Sequence, residues 1–146
     1  MPLQGEQSMR TKLLAVMLGM GLFAATRPVT AHHAFAAEYD VKQPVKLKGT
    51  ITKMEWINPH SWIHLDVKRP DGTVDSWMVE SGPPSGLVRR GFTKNSVPAG
   101  IEVTIDGYRA KDGSLQANGQ YITLPDGRAL FAGTPGTGAP DAPSQK

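Results

Sequence analysis

Residues 74–91 read VDSWMVESGPPSGLVRRG, and the order within them, strand then short helix, decides the fold. Val74 to Val79 carries the β-branched and aromatic residues of a strand. Pro83 to Arg90 breaks that pattern. Two prolines suit a helix start, where a missing N–H loses no hydrogen bond. Leu87 and Val88 supply apolar contact, and Arg89-Arg90 favour a helix C-terminus before Gly91. One or two helical turns are predicted.

Upstream, Trp62 to Val67 alternates strictly. Ile63, Leu65 and Val67 take one side; Trp62, His64 and Asp66 take the other. Pro70-Asp71-Gly72 joins this strand to the next, since proline presets φ and glycine supplies positive φ. Earlier still, Val45 to Ile57 alternates, with Val45, Leu47, Gly49 and Ile51 on one face. Gly49 inside the run predicts a bend or bulge. Asn58-Pro59-His60 is a turn.

Downstream, the turn residues Asn95 to Gly100 lead into strands at Ile101 to Tyr108 and Gln116 to Leu124, punctuated by Asp112-Gly113. Pro125-Asp126-Gly127 then introduces a short Ala129-Leu130-Phe131 strand. Three strands, a short helix and two strands is the order of an OB-fold, a five-stranded partly open barrel. The predicted class is all-β: an OB-fold-like barrel over 45–131 with one short helix between strands three and four. A small sandwich with the same strand count is the alternative.

The N-terminus reads as an address. Arg10 and Lys12 form a positive region, and Leu13 to Ala25 is a thirteen-residue uncharged run. That run is too short to span a bilayer core. Arg27-Pro28 breaks it, and Val29-Thr30-Ala31 offers the small residues of a cleavage site. Residues 1–31 are therefore expected to be a signal-peptide helix, cut after Ala31, with a periplasmic or secreted destination. The expected arm is 32–44, and 132–146, rich in Gly, Pro, Thr, Ala and Ser, reads as a disordered tail.

Processing changes the bulk charge. The whole chain is +3, but Arg10, Lys12, Arg27 and Glu6 leave with the signal. The remaining 115 residues hold 13 basic and 12 acidic side chains, a net of +1. That balance gives no warrant for nucleic-acid binding. There is no cysteine, so packing alone holds the domain and thiolate metal sites are excluded.

Several segments resemble one family. His32-His33-Ala34-Phe35, Leu47-Lys48-Gly49-Thr50, Glu55-Trp56-Ile57-Asn58-Pro59-His60 and Leu87-Val88-Arg89-Arg90-Gly91 are similar to small exported bacterial proteins of the DUF6152 family. VTIDGYRAKDG at 103–113 and LPDGR at 124–128 continue the likeness. It implies an exported single domain of OB-like shape. It carries no catalytic residues over, because the family has no established activity.

The four histidines, His32, His33, His60 and His64, all fall within 33 residues of one another. A cut after Ala31 makes His32 the N-terminal residue. Its amine, with an ordinary pKa near 8, and its ring Nδ1 then chelate one ion. A nitrogen from His60 or His64 completes a T-shaped site suited to Cu(II), resembling the histidine brace of exported copper proteins. Zinc, which wants four-coordinate closure, fits less well. Asp66, sharing a face with His64, is a candidate to orient it. The simpler reading gives His60 the job of capping the Asn-Pro-His turn.

Trp62, His64 and Asp66 are the expected ligand-binding residues, on the barrel face formed by the second and third strands. Trp56 and Trp77 are expected in the core, with Tyr108 the remaining aromatic of interest. Arg89, Arg90 and Lys94 form the only local basic cluster, read as a solvated helix end. Gly-x-Ser-x-Gly, His-Glu-x-x-His and phosphate-cradling loops are all missing from the sequence. Ser61, His64 and Asp66 have the types of a nucleophilic triad, but alternation points Ser61 the other way. Glu55 and Glu80 pair only if the fold brings them together.

The expectation is thus a monomeric, non-enzymatic, exported binding domain. Its partner is a small molecule, a metal ion or an exported protein, not nucleic acid. Copper binding through His32 is the alternative, and redox chemistry at such a copper the third reading.

Overall fold

A computed structural model describes residues 32–134, with side chains from residue 35 onward. The expected signal peptide, the side chains of His32 and His33, and the residues beyond 134 lie outside the described residues.

The elements run α1 (His32–Glu38), β1 (Tyr39–Glu55), β2 (Ser61–Lys68), β3 (Val74–Ser81), α2 (Pro84–Arg89), β4 (Glu102–Ala110), β5 (Gln116–Thr123) and β6 (Ala129–Phe131). β1 pairs antiparallel with both β2 and β4. β3 pairs antiparallel with β2, and β5 with β4. Met78, Val79 and Glu80 of β3 pair parallel with Gln116, Ala117 and Asn118 of β5. The ring β1-β2-β3-β5-β4 therefore closes on itself, with β6 added to the far half of β5. This is the OB-like barrel, and closure removes its open edges.

Seventeen-residue β1 serves two neighbours by bending. Its early part pairs with β4 and its end with β2, and Thr50 faces both Glu102 and Asp66. The predicted bulge is displaced: the irregularity falls between Ile51 and Lys53. Gly49 serves a close approach instead, since a Cβ there would sit 2.3 Å from the Asp66 carbonyl oxygen. The expected arm at 32–44 also divides. Its first seven residues are helical, and β1 begins at Tyr39.

Ile63 and Leu65 are fully buried, as the alternation of β2 predicts. They join Leu47, Ile51, Trp77, Val79, Val103, Ile105 and Ile122 in the barrel core. Trp56, expected inside, is only half-buried at the core's margin. Helix α2 plugs the barrel with Leu87. It ends in a Schellman arrangement: Phe92 N–H donates to Leu87 O and Gly91 N–H to Val88 O, with Gly91 at φ 93°.

The basic cluster is not one solvated patch. Arg90 donates to Gly133 O at 2.8 Å and lies 4.8 Å from the centroid of the Phe131 ring. Ala132 and Gly133 are likewise buried, and their N–H groups donate to Gln120 O. The packed domain thus extends past the point where the tail was expected to begin.

A second cluster lies apart from the first. Phe35 of α1 stacks on Tyr39 and meets Tyr108 edge-on, with ring centroids 5.7 Å apart in both pairs, and Ala110 completes the group. Lys111 N–H donates to Glu38 O, and its Nζ to Ala36 O. These bonds hold α1 against the end of β4.

Candidate functional site

The outer face of β1, β2 and β3 is built by register. Trp62 lies opposite Glu55 on one side and Glu80 on the other. His64 lies between Lys53 and Met78. Residues two apart on a strand share a face, so His60 and His64 flank Trp62 along the chain. The half-buried indole is therefore framed by two carboxylates across the sheet and two imidazoles along it.

Each carboxylate holds one imidazole. His60 Nδ1 donates to Glu80 Oε1, because a carboxylate only accepts. His64 Nε2 donates to Glu55 Oε1 at 3.2 Å. His60, His64 and Glu55 keep 33%, 26% and 28% of their side-chain surface exposed. Glu80 is 5% exposed, and its other oxygen accepts from the Tyr39 hydroxyl. A buried carboxylate with bonds to both oxygens is a satisfied one. Burial and the Glu80 carboxylate push the Tyr39 hydroxyl above its ordinary range. The bond from Lys53 Nζ, more than the nearby His64, holds Glu55 below the usual carboxylate range.

The polar layer continues on β5. Asn118, paired with both Glu80 and Tyr108, is buried and accepts from Gln120 Nε2 at 2.6 Å. Beyond it, an open cleft of about 550 Å³ is lined by Glu38, Tyr39, Ala110, Lys111, Asp112 and Gln116. It lies beside the Trp62 face. Lys111 is bound to Ala36 O, and Asp112 accepts from Ser114 N–H.

Trp62, His64 and Asp66 share the outer face as predicted, but the pairing differs. His64 takes Glu55, while Asp66 accepts from Ser76 Oγ at 2.7 Å. His60 binds Glu80 rather than capping its own turn, in which the Asn58–Pro59 bond is cis. Ser61 is fully buried on the inner face, which separates it from His64 and Asp66. Glu55 and Glu80 lie two strands apart, roughly 10 Å between Cα atoms, with Trp62 between them. Among the described residues no three His, Asp or Glu side chains converge as a cation site. Tyr39 and Asn118 went unread in the sequence. The signal available for Tyr39 was a lone aromatic just before a strand; Asn118 had none.

The model of the DUF6152 family, a family of unknown function, matches residues 21–119, more than half of the chain. The protein belongs to this family. Comparison with curated proteins and with solved structures finds no match. The matched span of this DUF6152 protein contains the whole frame around Trp62, together with Tyr39 and Asn118.

Proposed function

We propose that this DUF6152 protein is exported and that its barrel is a binding module, holding its ligand around Trp62. One observation carries the reading: a partly exposed indole framed on four sides by polar groups that are already oriented. Binding sites combine an apolar surface with a few convergent polar groups, and pre-bonded side chains lose little freedom when a ligand arrives. Binding rather than turnover fits the two carboxylates. Both oxygens of Glu80 are occupied by bonds within the frame, and Glu55 is held below the usual carboxylate range by Lys53, so neither is a free acid facing the indole. Export rests on the N-terminal pattern of residues 10–31.

The test is a nuclear magnetic resonance titration of the chain, expressed with its own leader and checked for its N-terminus by mass. The probes are neutral hexasaccharides, a ten-residue oligothymidylate and decalysine. Shifts should centre on the Trp62 indole and the outer faces of β2 and β3, and Trp62→Ala should remove them without unfolding the domain. Shifts confined to the 550 Å³ cleft would refute this reading. So would cooperative unfolding of Trp62→Ala.

A second reading, copper held by nitrogen ligands, is favoured by the Glu80 bond to His60 Nδ1, which leaves Nε2 to accept a metal. Carboxylates commonly orient metal-binding imidazoles in this way. His60 and His64 lie roughly 13 Å apart along one strand line, so a single ion draws on one of them. Tyr39, directly after α1, bonds the same Glu80, which makes His60 the nearer partner for an N-terminal chelate at His32. Cu(II) titration read by electron paramagnetic resonance should then lose its signature when one residue precedes His32 or in His60→Ala, but not in His64→Ala. Equal binding by the native and extended forms rejects the reading.

A further inference from the structure

Resting on the reading of the Trp62 face as the binding site, we propose that its ligand is a neutral saccharide chain. The frame is rich in acceptors. His60 commits its Nδ1 to Glu80 and His64 its Nε2 to Glu55, which leaves His60 Nε2 and His64 Nδ1 as the ring nitrogens available to a ligand's hydroxyl groups. The second oxygen of Glu55 accepts as well, and Asp66 extends the row past His64. A ligand matched to such a rim brings donors.

Phosphate groups bring only acceptors and negative charge, so nucleic acid meets this frame badly. Ammonium and guanidinium groups bring donors, but the exposed charge nearest the indole is already compensated. Lys53 Nζ sits on Glu55, and Glu80 is buried with both oxygens bonded. A cationic ligand would have to displace Lys53 or sit over a spent carboxylate. Hydroxyl groups avoid both problems, since each donates without carrying charge.

The indole supplies the remaining requirement. Its face is electron-rich and flat, and it stacks on polarised C–H groups. A pyranose ring presents such a C–H face with hydroxyls around its edge. Laid on Trp62, it directs those hydroxyls toward Glu55 and His64 on one flank and toward His60 on the other. The strand continues past His64 to Asp66 and Ser76, so adjoining rings of a chain meet further acceptors.

The same titration, repeated by calorimetry, tests the class separately from the face. Neutral hexasaccharides (of glucose and of N-acetylglucosamine) should bind with the Trp62 indole shifted and with little change between low and high salt. Trp62→Ala should weaken binding about 10-fold or more, as loss of an aromatic anchor does. Glu55→Gln, which keeps the shape but turns one oxygen into a donor, should weaken it as well. If decalysine or oligothymidylate shifts Trp62 and no hexasaccharide does, the saccharide inference is overturned while the face stands. If a hexasaccharide binds but the shifts fall in the cleft of Tyr39 and Gln116, both are overturned. If no hexasaccharide binds at millimolar concentration, the inference fails outright.

Discussion

Glu80 shows how one buried side chain ties sequence-distant groups together. It accepts from Tyr39, 41 residues earlier, and from His60 across the neighbouring strand. A hydrogen bond to a charged group contributes about 1.5–3 kcal/mol, and Tyr39→Phe should cost that much in urea unfolding. The pH dependence follows from the raised Tyr39 pKa. Below the ordinary tyrosine value near 10, both folded and unfolded chains hold the proton, and the contribution is complete. Above it, the unfolded chain ionises while the folded one resists. Stability therefore falls as pH rises, by about 1.4 kcal/mol per unit in that window. The gap between the native protein and Tyr39→Phe should hold steady to about pH 9 and shrink beyond pH 10. Unchanged separation through that range would show that burial and Glu80 do not hold Tyr39 neutral.

Among the elements, β1 and β4 depend on glycine for close backbone approach. A Cβ on Gly107 would lie 2.3 Å from the Asn118 carbonyl oxygen, beside the β4–β5 irregularity. Gly107→Ala should destabilise the barrel by about 1–3 kcal/mol or more in a melt, and should shift the Asn118 amide. Helix α2 gives a second case. Leu87 is fully buried where α2 closes the barrel, so Leu87→Ala should cost about 2–5 kcal/mol. Val88 beside it is 59% exposed, and Val88→Ala should leave unfolding nearly unchanged. Element positions were legible because periodicity, prolines and positive-φ glycines act locally: Gly72, Gly91, Gly113 and Gly127 all take φ above +80° or close to it. The offset at 51–53 was not. It reverses which residues of β1 face outward, putting Lys53 and Glu55 beside His64 and Trp62. No single-strand pattern reveals its partner's register.

At the scale of the molecule, what was readable was the order of elements; what was not was contact between distant ones. The parallel β3–β5 pairing that closes the ring joins residues nearly forty apart, and the His64–Glu55 pair depends on the β1 offset. The two apolar clusters make a further distinction that composition hides. Phe35, Tyr39 and Ala110, with Tyr108, are separate from the core that Ile63, Leu65, Trp77 and Ile105 share. If the barrel is self-sufficient, losing Phe35 should weaken only its own cluster. Phe35→Ala removes a buried aromatic, worth about 3–5 kcal/mol in a closed core, but this cluster lies at the barrel's end, where neighbours relax more easily. The expected result is a cost at or below the bottom of that range, with native strand content by circular dichroism. Amide shifts should be confined to the start of β1, the end of β4 and Glu80, because Tyr39 spans the two. Hydrogen exchange should accelerate at 35–39 while Ile63, Leu65 and Val79 stay protected, since the three sit in the core that the ring encloses. Loss of protection at those three would mean that α1 folds with the barrel as one cooperative unit, and that the Tyr39–Glu80 bond transmits its state to the Trp62 face.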